Sequence, residues 1–122
     1  MILYNLFPLL AGPFGRWGEH FIRAAAMGFD WVYVNPVQKP GASRSLYSIA
    51  DYFQLNPALV DPVNPAPADE QCRQMAQQGR AAGLQLMTDL VINHSAYDSP
   101  LTRAPPEWFV REPAGRIANA FC

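Results

Sequence analysis

Three short apolar runs, Ile2 to Phe7, Trp31 to Val34 and Leu84 to Ile92, constrain the fold of this chain more than any other feature. None alternates cleanly with polar residues, which is how strands buried on both faces read. Between them lie two stretches with helical spacing. Trp17, Phe21, Ala24 and Ala25 recur along Gly15 to Met27, and Gly28 suits the left-handed position just past a helix end. Cys72, Met75, Ala76 and Gly79 form a stripe along Ala68 to Ala82, with Asp69 and Glu70 at its positive end and Gly83 closing it. The order is β-α-β-loop-α-β, and right-handed crossovers then make the three strands parallel. The fold class is α/β. Three strands cannot close a barrel, and a (β/α)8 barrel takes roughly 250 residues, so these elements form either a small open sheet or the first part of a larger fold.

At 122 residues the chain is the size of one domain. A net charge of -1, with scattered Lys and Arg, gives no basis for a nucleic-acid partner. No apolar run reaches the roughly 18 residues of a membrane span. Met1 to Gly12 is apolar but lacks a basic start and is broken by Asn5 and Pro8, unlike a secretory signal. The two cysteines, Cys72 on a helix and Cys122 at the terminus, favour a reducing compartment over a disulfide between them, so the expected location is cytoplasmic. Prolines gather at 36–40, 57–67 and 105–113 and mark stiffened loops. The connection from Val37 to Asn64 is long for a compact domain, which points to function or to order around something. After Asp98 no further strong strand follows, and the tail reads as interrupted.

The third apolar run carries the chemistry. Asp89-Leu90-Val91-Ile92-Asn93-His94 begins on a carboxylate and ends on an amide and an imidazole. A carboxylate buried beside an apolar run needs a partner, because desolvation costs several kcal/mol. Groups at the carboxyl ends of parallel strands lie where α/β folds bind ligands, so Phe7, Asn35 and His94 should emerge at one edge.

Several motifs fall in a familiar order. Gly28-Phe29-Asp30-Trp31-Val32-Tyr33-Val34-Asn35-Pro36 resembles the second-strand signature of the α-amylase family, glycoside hydrolase family 13. Tyr47-Ser48-Ile49-Ala50-Asp51-Tyr52, followed by Asn56-Pro57, resembles that family's Tyr-Asp-x-x-Asp-Tyr loop. Asp89 to His94 is similar to its first conserved region, with Gly83-Leu84 as the preceding turn. The resemblance runs from about Ile2 to Phe109. Ser45-Leu46-Tyr47-Ser48, Asp98-Ser99-Pro100-Leu101 and Pro106-Glu107-Trp108-Phe109 look closest to the maltosyltransferase-like branch. Leu46 and Ser48 stand where the family usually has Gly and Asp, and the His often found near Ala81 is missing.

The resemblance implies the first three β/α units of a (β/α)8 TIM barrel, incomplete as given, with the excursion after the third strand beginning at about residue 95. It implies an α-glucan or maltooligosaccharide as partner and a retaining mechanism, whose two carboxylates stand roughly 5 Å apart. In the family those carboxylates come from the fourth and fifth strands, so no catalytic residue is expected here. Asp51, Asp98, Glu107 and Glu112 are read as loop residues that form no such pair. By resemblance Tyr47 is an aromatic platform under the sugar, His94 bonds a sugar hydroxyl, and Asp89 pairs with an arginine beyond residue 122. Asn93 matches a calcium ligand of many relatives, although a structural role suits it better; no other cofactor is implied.

Two rival readings stand beside this one. The first is a non-catalytic carbohydrate-binding remnant using Tyr47, Trp108 and His94. The second is an unrelated doubly wound domain, against which the lack of a Gly-x-Gly-x-x-Gly or Walker-type loop counts for nucleotide binding. If the chain is the first part of a barrel, its sheet has an open edge, and Val32, Val34, Leu86 or Leu90 should be exposed, depending on register.

Overall fold

The computed structural model describes residues 1–103 and 106–120. Its central sheet has three parallel strands: β1 (Leu3–Leu6), β2 (Trp31–Val34) and a third at Gln85–Thr88, β5 in chain order, with β2 in the middle. Leu3 aligns with Trp31 and Gln85, and Leu6 with Val34 and Thr88, so all three strands end level. A four-residue helix α1 (Pro8–Ala11) and a 3-10 turn (Phe14–Arg16) lead into α2 (Trp17–Ala26). After β2 comes an antiparallel pair, β3 (Gln38–Pro40) and β4 (Ile49–Leu55). Helix α3 (Ala68–Ala81) then precedes β5. The long connection is therefore a hairpin, and Asp51 lies on a strand of it rather than in a loop.

The pleat decides which side chains enter the core. Successive residues of a strand point to opposite faces. Tyr4, Val32 and Leu86 share one face with Leu6 and Val34, and this face meets the helices. Both helices pack there, where Phe14, Trp17 and Phe21 join Met75 and Leu84 in one cluster. Val32 and Val34 are thus buried and Leu86 half-buried, and of the four residues expected at an open face on one register or another, only Leu90 is exposed. The opposite face, with Leu3, Asn5, Trp31, Tyr33, Gln85 and Met87, is partly open. Helices cover only one side of the sheet, because right-handed crossovers bring both of them to the same side.

Two boundaries differ from the sequence reading. β5 stops at Thr88, and Leu90 and Ile92 are exposed rather than buried in a strand. Along α3 the buried residues are Gln71, Met75 and Gly79, with Cys72 only half-buried. Gln71 is kept inside by hydrogen bonds: its Nε2 donates to the carbonyls of Asp61, Asn64 and Ala66, and its Oε1 accepts from the Asp61 amide. A polar core position of this kind has no apolar signature to read. Gly79 permits the close approach of α3 to the sheet, since a Cβ there would lie 2.9 Å from the Leu86 side chain. Cys72 is free, and burial pushes its thiol pKa up; Cys122 lies outside the described residues.

The helix face is testable by a pair of neighbouring substitutions. Phe21 is fully buried and Ile22 is 69% exposed. Phe21→Ala should cost about 3–5 kcal/mol in urea unfolding, and Ile22→Ala should stay within about 0.5 kcal/mol. Equal losses at the two positions would contradict this packing.

Candidate functional site

The level strand ends bring Phe7, Asn35 and Asp89 to one edge of the sheet, and the Asp89 amide continues the ladder to the Val34 carbonyl at 3.0 Å. Over this edge hangs the turn between β3 and β4, which carries Tyr47. Its shape is set by short-range bonds. The Gly41 amide donates to the Ser48 carbonyl at 2.8 Å and the Arg44 amide to the Gly41 carbonyl at 2.9 Å, with Arg44 in a left-handed conformation (φ 60°). Leu46 and Ile49 are buried on either side of Tyr47 and pin the turn down. A leucine at position 46 is therefore a packing anchor.

The segment after β5 is sewn onto this hairpin. The Ala96 amide donates to the Ile49 carbonyl at 2.7 Å, and the buried Ser99 hydroxyl donates to the Ala50 carbonyl at 2.6 Å. The Tyr52 hydroxyl donates to the His94 carbonyl at 2.6 Å, and burial raises its pKa. The Asp98 carboxylate accepts from the Ala42 amide, at 3.0 Å to one oxygen and 3.2 Å to the other. A side chain at Gly41 would collide with that carboxylate and with Ala96, so only glycine fits there.

Within this frame Tyr47, His94 and Asp89 form one cluster with two residues that motif reading passed over, Tyr33 and Asn35. The Tyr33 hydroxyl donates to the Asp89 carboxylate in a short hydrogen bond; this bond first, and the neighbouring Tyr47 side chain second, push the Tyr33 pKa well above the usual phenol range. Asp89 is half-buried and has a partner within this chain, the Tyr33 hydroxyl. The Asn35 amide donates to the Tyr47 hydroxyl at 2.8 Å, while its own oxygen is buried without a partner. The His94 Nε2 lies 2.9 Å from the Tyr47 carbonyl. A carbonyl only accepts, so Nε2 carries the hydrogen. Its Nδ1 faces the Asn93 side-chain oxygen at 3.1 Å. Asn93 is exposed, which makes that second contact the exchangeable one.

The signal for Tyr33 was present in the pleat: position 33 points away from the helix-facing Val32 and Val34, near the strand's carboxyl end. Asn35 was placed at this edge by topology, without a bonding partner being named for it. As for calcium, a hard cation takes six to eight oxygens. Among the described residues no group of three or more His, Cys, Asp or Glu side chains converges. Trp108 is 64% exposed and lines a groove of about 1090 Å³ that also includes His94, Tyr97 and Asn119. Asp51 is occupied by the Phe53 amide and Glu112 by Arg116. Among the described residues no helix is long and apolar enough to cross a membrane.

The fold has known counterparts. The family model described as "Glycogen debranching enzyme, glucanotransferase domain" matches residues 2–112. Among solved structures, an alpha-amylase from Lactobacillus plantarum is 23% identical with a TM-score of 0.81, and the match covers 98% of this chain and 29% of that one. A maltogenic alpha-amylase from Thermotoga neapolitana is 24% identical with a TM-score of 0.79, covering 94% of this chain and 28% of that one. A trehalulose synthase from Pseudomonas mesoacidophila is 21% identical with a TM-score of 0.69, covering 84% and 19%. The chain thus spans less than a third of the length of these structures, and its sheet corresponds to part of a TIM-barrel-like fold. It belongs to the glycogen debranching enzyme glucanotransferase family, within glycoside hydrolase family 13.

Proposed function

We propose that this chain is the amino-terminal part of a family 13 catalytic barrel, with its first three β/α units at 1–94 and the excursion after the third beginning near 95. It supplies the sugar-holding side of an α-glucan donor site in an enzyme of hydrolysis or maltosyl transfer. The observation that carries this reading is the bonding of Tyr47 to Asn35 and His94, with the Tyr33–Asp89 pair beside it, at the carboxyl-end edge of the sheet. An aromatic ring 39% exposed beside a hydrogen-bonding imidazole offers what a sugar needs: an apolar face to stack on and a polar group at its rim. Asp89 stabilises the Tyr33 side of this arrangement, and Asn93 reaches the rim through His94. The retaining acid and nucleophile are assigned to later strands, where the family resemblance puts them; here Asp51, Asp98 and Glu112 each accept a hydrogen bond, from the Phe53 amide, the Ala42 amide and Arg116. The free, half-buried Cys72 suits a cytoplasmic protein.

The exposed Trp108 in the groove beside His94 favours a second reading, a non-catalytic glucan-binding unit. The two readings part on which aromatic residue holds the ligand.

Maltoheptaose should bind the chain weakly, with a Kd on the order of 1 mM, as followed by protein fluorescence. Tyr47→Ala should abolish this binding and His94→Ala should weaken it, whereas Trp108→Ala should leave it largely intact. Loss on Trp108→Ala alone would favour the second reading. The purified chain should release no reducing sugar from maltoheptaose. Turnover removed by Asp98→Asn or Glu107→Gln would place the chemistry inside these residues and overturn the assignment to later strands.

A further inference from the structure

His94 lies on a stretch that the sheet does not hold. The Asp89 amide makes the last ladder bond, to Val34, and the next backbone bond is that of the Ala96 amide to Ile49. Among the described residues the backbone of 90–95 bonds to no other backbone group, and Val91 is its one buried side chain. A single side chain bonds to it: the Tyr52 hydroxyl donates to the His94 carbonyl at 2.6 Å. Tyr52 is itself well held, since it lies on β4 between Asp51 and Leu55, which pair with Lys39 and Gln38. The ring of His94 is held from the same hairpin, through Nε2 and the Tyr47 carbonyl at 2.9 Å. With Nε2 donating, Nδ1 of the neutral ring is left as an acceptor, facing the exposed Asn93 side chain.

We infer that Tyr52 is a positioning residue, whose hydroxyl fixes the His94 backbone so that the ring bonds the Tyr47 carbonyl and offers Nδ1 to a sugar hydroxyl. This rests on His94 being the sugar-bonding imidazole proposed above. A bond to the ring sets its orientation only while the backbone that carries the ring stays in place. Val91 holds the stretch by apolar contact, which has no direction, whereas the bond from Tyr52 is directional and falls on His94 itself. Phenylalanine at position 52 would fill nearly the same space and leave the His94 carbonyl to water.

The test combines maltoheptaose binding, read by fluorescence, with nitrogen-15 NMR of the assigned His94 ring, both on the whole chain. The spectra are taken at slightly alkaline pH, where a free imidazole is neutral. The wild-type ring should be in the Nε2–H form. Tyr52→Phe should turn it into a mixture of the two tautomers. It should also weaken binding about three- to tenfold, as expected for the loss of one ordering hydrogen bond. In the His94→Ala background the same change should weaken binding no further. Helical circular dichroism should be unchanged in these variants. An unaltered tautomer in Tyr52→Phe, wild-type binding by it, or an equal loss with and without His94 would overturn the inference. If His94→Ala itself binds as wild type, the sugar-bonding reading of His94 fails instead, and the tautomer alone judges the role of Tyr52. If Tyr52→Phe does not fold, the wild-type chain decides. Its Tyr52 hydroxyl proton should give a slowly exchanging resonance, and the absence of that resonance, or a His94 ring in the Nδ1–H form, would overturn the inference.

Discussion

The pleat of strand β2 is the constraint on which both the core and the site depend. It sends Val32 and Val34 into the layer beneath the helices, and Tyr33 to the other face beside Asp89. Parallel pairing on both sides holds this strand in register, with Trp31 opposite Leu3 and Gln85. A slip by one residue would put valines where the phenol is needed and a tyrosine into the helix interface. Core packing and site geometry are therefore fixed by the same register. The buried valines each contribute about 1.5–3 kcal/mol of side-chain burial, enough to make that register strongly preferred.

The hairpin of β3 and β4 is the second device. Tyr47 lies on a turn, and turns are usually mobile. Here the turn is bound at both ends by buried Leu46 and Ile49, and from outside by Asp98, Ser99 and Ala96 of the segment after β5. Gly41 leaves room for the Asp98 carboxylate that caps it. The segment carrying His94 is thus also the segment that fastens the Tyr47 turn. Coupling of this kind lets two stretches far apart in the chain act as one surface.

The parallel topology was readable from three apolar runs and two helical stripes, because those patterns follow directly from burial. Gly28 and Gly83 lie at positive φ just past their helices, as their sequence positions imply. Other features resisted reading for physical reasons. The hairpin has a Pro-rich and polar sequence with an irregular register, so it shows no clean period of two. Gln71 is buried by four hydrogen bonds that have no sequence period. Leu90 and Ile92 look like strand core, yet they emerge after β5 has ended and stay exposed. In the site, Tyr47, His94 and Asp89 were legible by motif. Asn35 was placed at the edge by topology but without its partner, and Tyr33 was not singled out, because their bonds reach residues 12 and 56 positions away.

The central claim is that the Tyr47 ring forms the sugar-binding surface of this edge. Nuclear Overhauser contacts between maltoheptaose and assigned side-chain protons test it most directly. Contacts from the sugar to the Tyr47 ring and the His94 imidazole, with none to Trp108, are the predicted result. Contacts confined to Trp108 and Tyr97, with the Tyr47 ring silent, would contradict it.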